Sequence, residues 1–137
     1  MTHLCSIVLP HSAQVNLDKA TKLKDVTLIC LLRPGWVLRT LRTVTQNHRE
    51  LEWITLSVLS NWGFSQRNDV RGAVGETTYL EWLELDRLLA QLHESHSIRL
   101  KVLYDVEESR ERRRMKVLLP EVMTRGIVDL VEERGWI

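Results

Sequence analysis

Leu51-Glu52-Trp53-Ile54-Thr55-Leu56 repeats the apolar positions of an earlier stretch, Leu23-Lys24-Asp25-Val26-Thr27-Leu28. Both read Leu-x-x-Val/Ile-x-Leu, and the strands they predict are rich in β-branched and apolar residues. Each is followed by a segment of helical spacing. After the first come Val37, Leu38, Leu41 and Val44, which predict a helix over Trp36–Gln46, opened by the turn signal Pro34-Gly35. After the second, Trp82, Leu85, Leu88, Leu89 and Leu92 line one face of a helix from about Tyr79 to Ser95, where Thr78 and Glu81 form a T-x-x-E capping pair. A looser strand lies at Ile98–Tyr104. Strand-then-helix units of unequal length predict an α/β solenoid in which each unit buries its apolar face on its neighbours.

The remainder of the chain fits that frame. Leu4–Leu9 reads as a first strand closed by Pro10, and His11–Lys24 as a polar connection with a short helical turn. The strands predicted around the two repeats run over Asp25–Leu32 and Leu51–Leu59. Asn61–Glu76 is a long loop holding Gly63, Gly72 and Gly75, and loops of this length are functional or mobile more often than inert. Asp105–Lys116 carries four acids against five bases without apolar periodicity, which reads as a solvated linker. Pro120 opens a candidate helix. Beyond it, Met123, Ile127, Leu130 and Val131 fit a helical face, whereas Arg125-Gly126 also reads as a stop before a strand over Ile127–Val131.

Bulk composition excludes several classes. The chain has 137 residues, is 44% hydrophobic and 27% charged, and carries a net charge of +1. That is an ordinary folding composition, with no global field to recruit nucleic acid or anionic membrane. We expect a single domain over residues 1–137. The longest apolar run, Val26–Leu32, is far short of the roughly 20 residues of a membrane span. Leu4–Leu9 is too short for a secretory signal. Cys5 and Cys30 fall in predicted strands as reduced, structural thiols, so a cytoplasmic or nuclear location is expected.

Three groups of residues carry a resemblance. They are the strand Leu51-Glu52-Trp53-Ile54-Thr55-Leu56, the run Trp82-x-x-Leu85-Asp86-Arg87-Leu88-Leu89, and Leu119-Pro120 with Arg125-Gly126-Ile127-Val128. Over Leu23 to Glu132 the chain resembles the C-terminal, leucine-rich-repeat-like part of fungal F-box proteins, the mushroom type in particular. The resemblance implies a last helix, a turn after Arg125-Gly126 and a closing strand. It also implies the substrate-recognition part of a ubiquitin-ligase receptor. No F-box pattern precedes the repeats in these residues, so recruitment of the ligase machinery is not implied.

Chemistry-bearing constellations are sparse. His93 and His96 stand three apart near a helix end, a spacing that can place two metal ligands on one face, but no third ligand accompanies them. No G-x-S-x-G elbow occurs, and Gly72-Ala73-Val74-Gly75 is too sparse to cradle phosphate. Glu84 and Asp86 read as surface charges on the long helix. Arg110–Lys116 is a basic run without interleaved aromatics to stack bases. Trp36, Trp53 and Trp82, three of five tryptophans, read as core. Trp62 and Phe64 lie in the glycine-containing loop beside Arg67. They form either a binding hot spot or a satellite cluster under the loop.

The sequence therefore predicts an α/β fold, a short leucine-rich-repeat-like stack of four to five mostly parallel strands with helices outside. Its expected function is non-catalytic protein binding, with Trp62, Phe64 and Arg67 as contact residues and no metal or cofactor. A protein partner is favoured over nucleic acid or membrane. Self-association through the edge of the N-terminal strand is a further expectation, since solenoid ends need caps. Two other readings stay open: a small α/β enzyme with its site at the strand C-termini, and nucleic-acid binding through residues 110–116.

Overall fold

The computed structural model describes residues 6–9, 16–29, 34–57, 76–104 and 108–132. Within them are five strands: β1 (Ser6–Leu9), β2 (Asp25–Ile29), β3 (Trp53–Ser57), β4 (Arg99–Tyr104) and β5 (Val128–Glu132). The helices are α1 (Gly35–Leu41), α2 (Glu76–His96), α3 (Glu108–Leu118) and α4 (Pro120–Arg125). All neighbouring strands pair in parallel, and their order in the sheet is their order in the chain. The expected α/β stack is present, with five strands.

The two hexapeptides that decide the fold are neighbours in space. Asp25 pairs with Trp53, which sets Val26 beside Ile54 and Leu28 beside Leu56. Leu23 and Leu51, two residues ahead of their strands, are also buried. The sequence repeat is thus a structural one. Parallel strands cannot be joined by hairpins, so each connection must cross over. Helix α1 makes the crossing from β2 to β3, α2 from β3 to β4, and α3 with α4 from β4 to β5. Right-handed crossovers in a sheet of sequential order all fall on one side. Accordingly, Val26, Leu28, Ile54, Leu56, Leu100 and Val102 share a single core cluster with side chains from all four helices.

Helix α2 is the best-specified element, since Trp82, Leu85, Leu89 and Leu92 are all buried as their spacing predicts. Its start differs from expectation. The helix already includes Glu76, so Thr78 lies inside the first turn with its side chain buried, and Thr78 and Glu81 are not a capping pair. Glu81 instead faces α1, where its Oε2 would stand 2.8 Å from a Cβ on Gly35. A side chain at position 35 would make that flexible carboxylate shift. At the other end Ser97 takes a left-handed conformation (φ 58°) and its N–H returns to the His93 carbonyl at 2.8 Å.

Helix α1 ends at Leu41 rather than Gln46. Thr43 and Val44 donate their N–H groups to Thr40 and Leu41, a tightened last turn. Thr43, Val44 and Thr45 are β-branched, which disfavours continuation. The Thr43 hydroxyl donates to the Thr40 carbonyl at 2.6 Å and accepts the Leu17 N–H at 2.8 Å. This contact ties the β1–β2 connection to α1. That connection is less polar in structure than in sequence, because Leu17 and Leu23 are both buried in it.

The largest correction concerns the charged run. Residues from Glu108 form α3, and Glu111, Arg114, Met115 and Leu118 are buried along one face of it. Positions 111, 114, 115 and 118 have helical spacing, but two of the four are charged, which hid the period from a search for apolar residues. Glu111 and Arg114 form an ion pair of 3.3 Å at 0% and 2% side-chain exposure. Only part of the run, including Arg112, Arg113 and Lys116, is exposed as a solvated segment would be. The ambiguous terminus resolves as helix, turn and strand. Pro120 opens α4, Gly126 caps it in the left-handed region (φ 71°), and β5 follows.

Candidate functional site

The side of the sheet away from the helices is the candidate site. Strand alternation places every second residue there, and the register aligns these residues into rows. The first row holds Asp25, Trp53 and Arg99; the second Val8, Thr27, Thr55, Lys101 and Asp129; the third Ile29, Ser57, Leu103 and Val131. None of them joins the core cluster. Val8 is 61% and Ile29 36% exposed, and these are two of the three large hydrophobics exposed among the described residues. Parallel sheets are ordinarily covered on both faces. This face mixes apolar, hydroxyl and charged residues, and its exposure is uneven: Val8 and Ile29 are exposed, whereas Thr55 and Ser57 on the central strand are buried.

Trp53 is the centre of that surface. The Lys101 Nζ lies 5.0 Å and the Arg99 guanidinium 5.8 Å from its ring centroid. Such cation–π contacts contribute about 0.5–1 kcal/mol each at exposed sites, so they orient the ring more than they stabilise the fold. Arg99 also donates to Asp129 at 3.3 Å, with both side chains nearly half exposed. The parts of a binding surface are thus together: a half-buried aromatic, two cations and hydroxyls on a rigid sheet. Trp53 was expected in the core. The two-residue period of Trp53-Ile54-Thr55-Leu56 puts Trp53 on the side away from Ile54 and Leu56, although Thr55 and Ser57 on its own side are also buried.

Asp86 was read as a surface charge and is instead buried. It accepts the backbone N–H of Val122 at 3.0 Å and that of Glu121 at 3.0 Å. A side chain of α2 thereby caps the first turn of α4, where Leu119 provides no side-chain cap of its own. Burial pushes the Asp86 carboxyl above its usual value, and the two backbone hydrogen bonds oppose that shift. Within the W-x-x-L-D-x-x-L run, Trp82, Leu85, Asp86 and Leu89 are all buried, so the motif acts as a packing and capping unit.

The histidine pair is likewise structural. His93 Nδ1 lies 2.9 Å from the Ile98 carbonyl and His96 Nε2 2.9 Å from the Thr45 carbonyl, so each ring nitrogen donates to a main-chain oxygen. The buried His48 joins them: its Nδ1 accepts the Thr45 N–H at 2.9 Å and its Nε2 donates to the Leu17 carbonyl at 2.6 Å. Among the described residues no group of three His, Cys, Asp or Glu side chains is placed to hold a metal ion. No helix among them is long and apolar enough to cross a membrane. Trp62, Phe64 and Arg67, the contact residues expected from sequence, lie outside the described residues, as do Cys5 and Cys30. Comparison with known proteins finds no matching protein family, curated protein or solved structure.

Proposed function

We propose that this chain is a non-catalytic protein-binding scaffold that receives its partner on the open face of the sheet. One observation carries the reading: a parallel sheet with helices on one side presents Trp53, flanked by Arg99 and Lys101, on the other. Binding energy at protein interfaces concentrates on tryptophan and arginine in well-packed surroundings. A sheet holds such groups at fixed spacing, with little ordering to be done on contact. The resemblance to the repeat part of fungal F-box proteins supports the substrate-receptor form of this role, with Trp62, Phe64 and Arg67 as further contacts.

The second reading, an enzyme with its site at the strand C-termini, is favoured by one feature, the buried Glu111–Arg114 pair in the helix that follows β4. Buried charge pairs collect at functional sites as well as structural ones. The nucleic-acid reading loses Arg114 from its surface, since that side chain is 2% exposed. Affinity capture from a fungal lysate tests the proposal, comparing the wild type with Lys101→Glu beside Trp53 and Arg87→Glu on the exposed side of α2. Loss of the captured protein with Lys101→Glu alone supports it. Equal capture by both variants contradicts it.

A further inference from the structure

A cavity of about 420 Å³ lies between the α1–β3 connection and the end of α2, lined by Gln46, Arg49, Ser95, His96 and Ser97. From its chemistry we infer that it binds the phosphoryl group of a small phosphorylated metabolite. None of these residues belongs to the surface around Trp53, so this is a second site. Every lining side chain can donate a hydrogen bond, and none is a carboxylate. The acids next to them in sequence are engaged elsewhere: Glu50 pairs with Lys22 at 3.5 Å and Glu94 with Arg125 at 2.7 Å. Among the described residues no carboxylate pairs with Arg49.

The wall of the cavity is fixed by the fold itself. His96 Nε2 donates to the Thr45 carbonyl at 2.9 Å, which joins α2 to the α1–β3 connection. Its Nδ1 therefore accepts, and the Ser95 hydroxyl donates to it at 2.6 Å. With those two side chains committed to the wall, Gln46, Arg49 and Ser97 remain as donors. Three groups suit the three acceptor oxygens of a phosphate ester. Arg49 is apt, because a guanidinium fork matches phosphate in both charge and geometry. The end of α2 opposes an anion with about half an elementary negative charge, and the whole charge of Arg49 outweighs it. Ser97 adds an independent sign. It holds the left-handed conformation (φ 58°) that ends α2, where glycine is the ordinary residue. A serine there costs backbone energy and brings a hydroxyl to the cavity, and strain of this kind collects at binding sites. The volume falls within the usual range for small-molecule pockets, about 300–1,000 Å³, so it holds more than a bare phosphate. Its polar lining suits a sugar-like alcohol in the remaining space.

Amide NMR titration of the isotope-labelled full chain, read at the five lining residues, tests the inference with glucose-6-phosphate, glucose, gluconate and inorganic phosphate. Glucose-6-phosphate is expected to shift these signals saturably, with half-saturation at or below about 1 mM. Glucose should leave them unmoved, and gluconate and inorganic phosphate should bind at least about fivefold more weakly. Arg49→Glu reverses the charge and is expected to weaken glucose-6-phosphate binding about tenfold or more. Ser97→Gly relieves the left-handed strain, so thermal stability should hold or rise while binding falls about threefold, a loss that impaired folding cannot imitate. No saturable shift up to about 10 mM overturns the inference, as does binding that Arg49→Glu leaves unchanged. Gluconate binding as tightly as glucose-6-phosphate overturns the phosphoryl assignment. Inorganic phosphate binding as tightly overturns the metabolite in favour of the free ion. Undiminished binding by Ser97→Gly overturns the role given to Ser97.

Discussion

The two faces of the sheet are made from the same strands and obey opposite rules. On the covered face the registered rows are aliphatic: Val26, Ile54, Leu100 and Val128, then Leu28, Leu56, Val102 and Leu130. On the open face the same strands carry Asp25, Trp53 and Arg99, then Thr27, Thr55, Lys101 and Asp129. One face is selected for exclusion of water, so any methyl lost there is felt. The other carries, beside the buried Thr55 and Ser57, groups such as Thr27 and Lys101 that can be exchanged with little effect on the fold. Stability and recognition are therefore separated by the two-residue period of a strand, and substitutions can address each without the other.

The largest effect expected on the covered side comes from its buried charges. Arg114→Ala removes the cation paired with the buried Glu111, and breaking such a pair costs about 3–5 kcal/mol. Denaturant unfolding measures it, and a loss below 1 kcal/mol would show that the pair is hydrated. Leu85→Ala and Leu89→Ala empty the apolar face of α2 and are each expected to cost about 2–5 kcal/mol. A loss under half a kilocalorie at both sites would mean that α2 is not packed on the sheet.

Asp86→Ala removes both acceptors at the start of α4, for an expected loss of about 1–2 kcal/mol. The pH dependence has a definite sign. The folded-state value of Asp86 is raised, so the folded chain holds this proton more tightly than the unfolded one. Its contribution to stability falls as pH rises from the unfolded value through the folded one. Wild type should therefore gain on Asp86→Asn as pH is lowered from neutral to about 4, the ordinary carboxylate range. A wild type that loses ground on acidification would contradict the direction.

Thr40 on α1 offers a smaller test of the same face. Its Oγ1 is buried without a hydrogen-bond partner, and an unsatisfied hydroxyl costs about 1–3 kcal/mol. Thr40→Val is thus expected to stabilise by about 1 kcal/mol at the same volume. The open face should give the least. Lys101→Ala and Thr27→Ala are expected to stay within about 0.5–1 kcal/mol of wild type, the contribution of an exposed cation–π contact at most.

The parts legible in the sequence were those whose signal is local. The repeat around Leu23 and Leu51 and the stripe from Trp82 to Leu92 announce themselves within one turn or one strand, whereas the helix opened by Pro120 was legible only at its start. What escaped depends on distant partners. Asp86 resembles any helix-surface acid until α4 brings the Glu121 and Val122 N–H groups to it. Helix α3 was illegible because its buried stripe contains Glu111 and Arg114, and charge ordinarily marks the solvent side. Trp53 escaped for the converse reason: a large aromatic suggests the core, although its neighbours' alternation points it outward. Trp62, Phe64 and Arg67 stand outside the residues described.

Hydroxyl-radical footprinting of the tryptophans tests the separation of the two faces most directly. In dilute solution Trp53 should be oxidised readily and Trp82, fully buried in the core, should resist. When the chain is bound to a captured partner, Trp53 should become protected while exposed side chains of α2 such as Leu80 stay reactive. Protection of Trp53 in the dilute monomer, or protection on binding that falls on α2 and leaves Trp53 unchanged, would contradict the account.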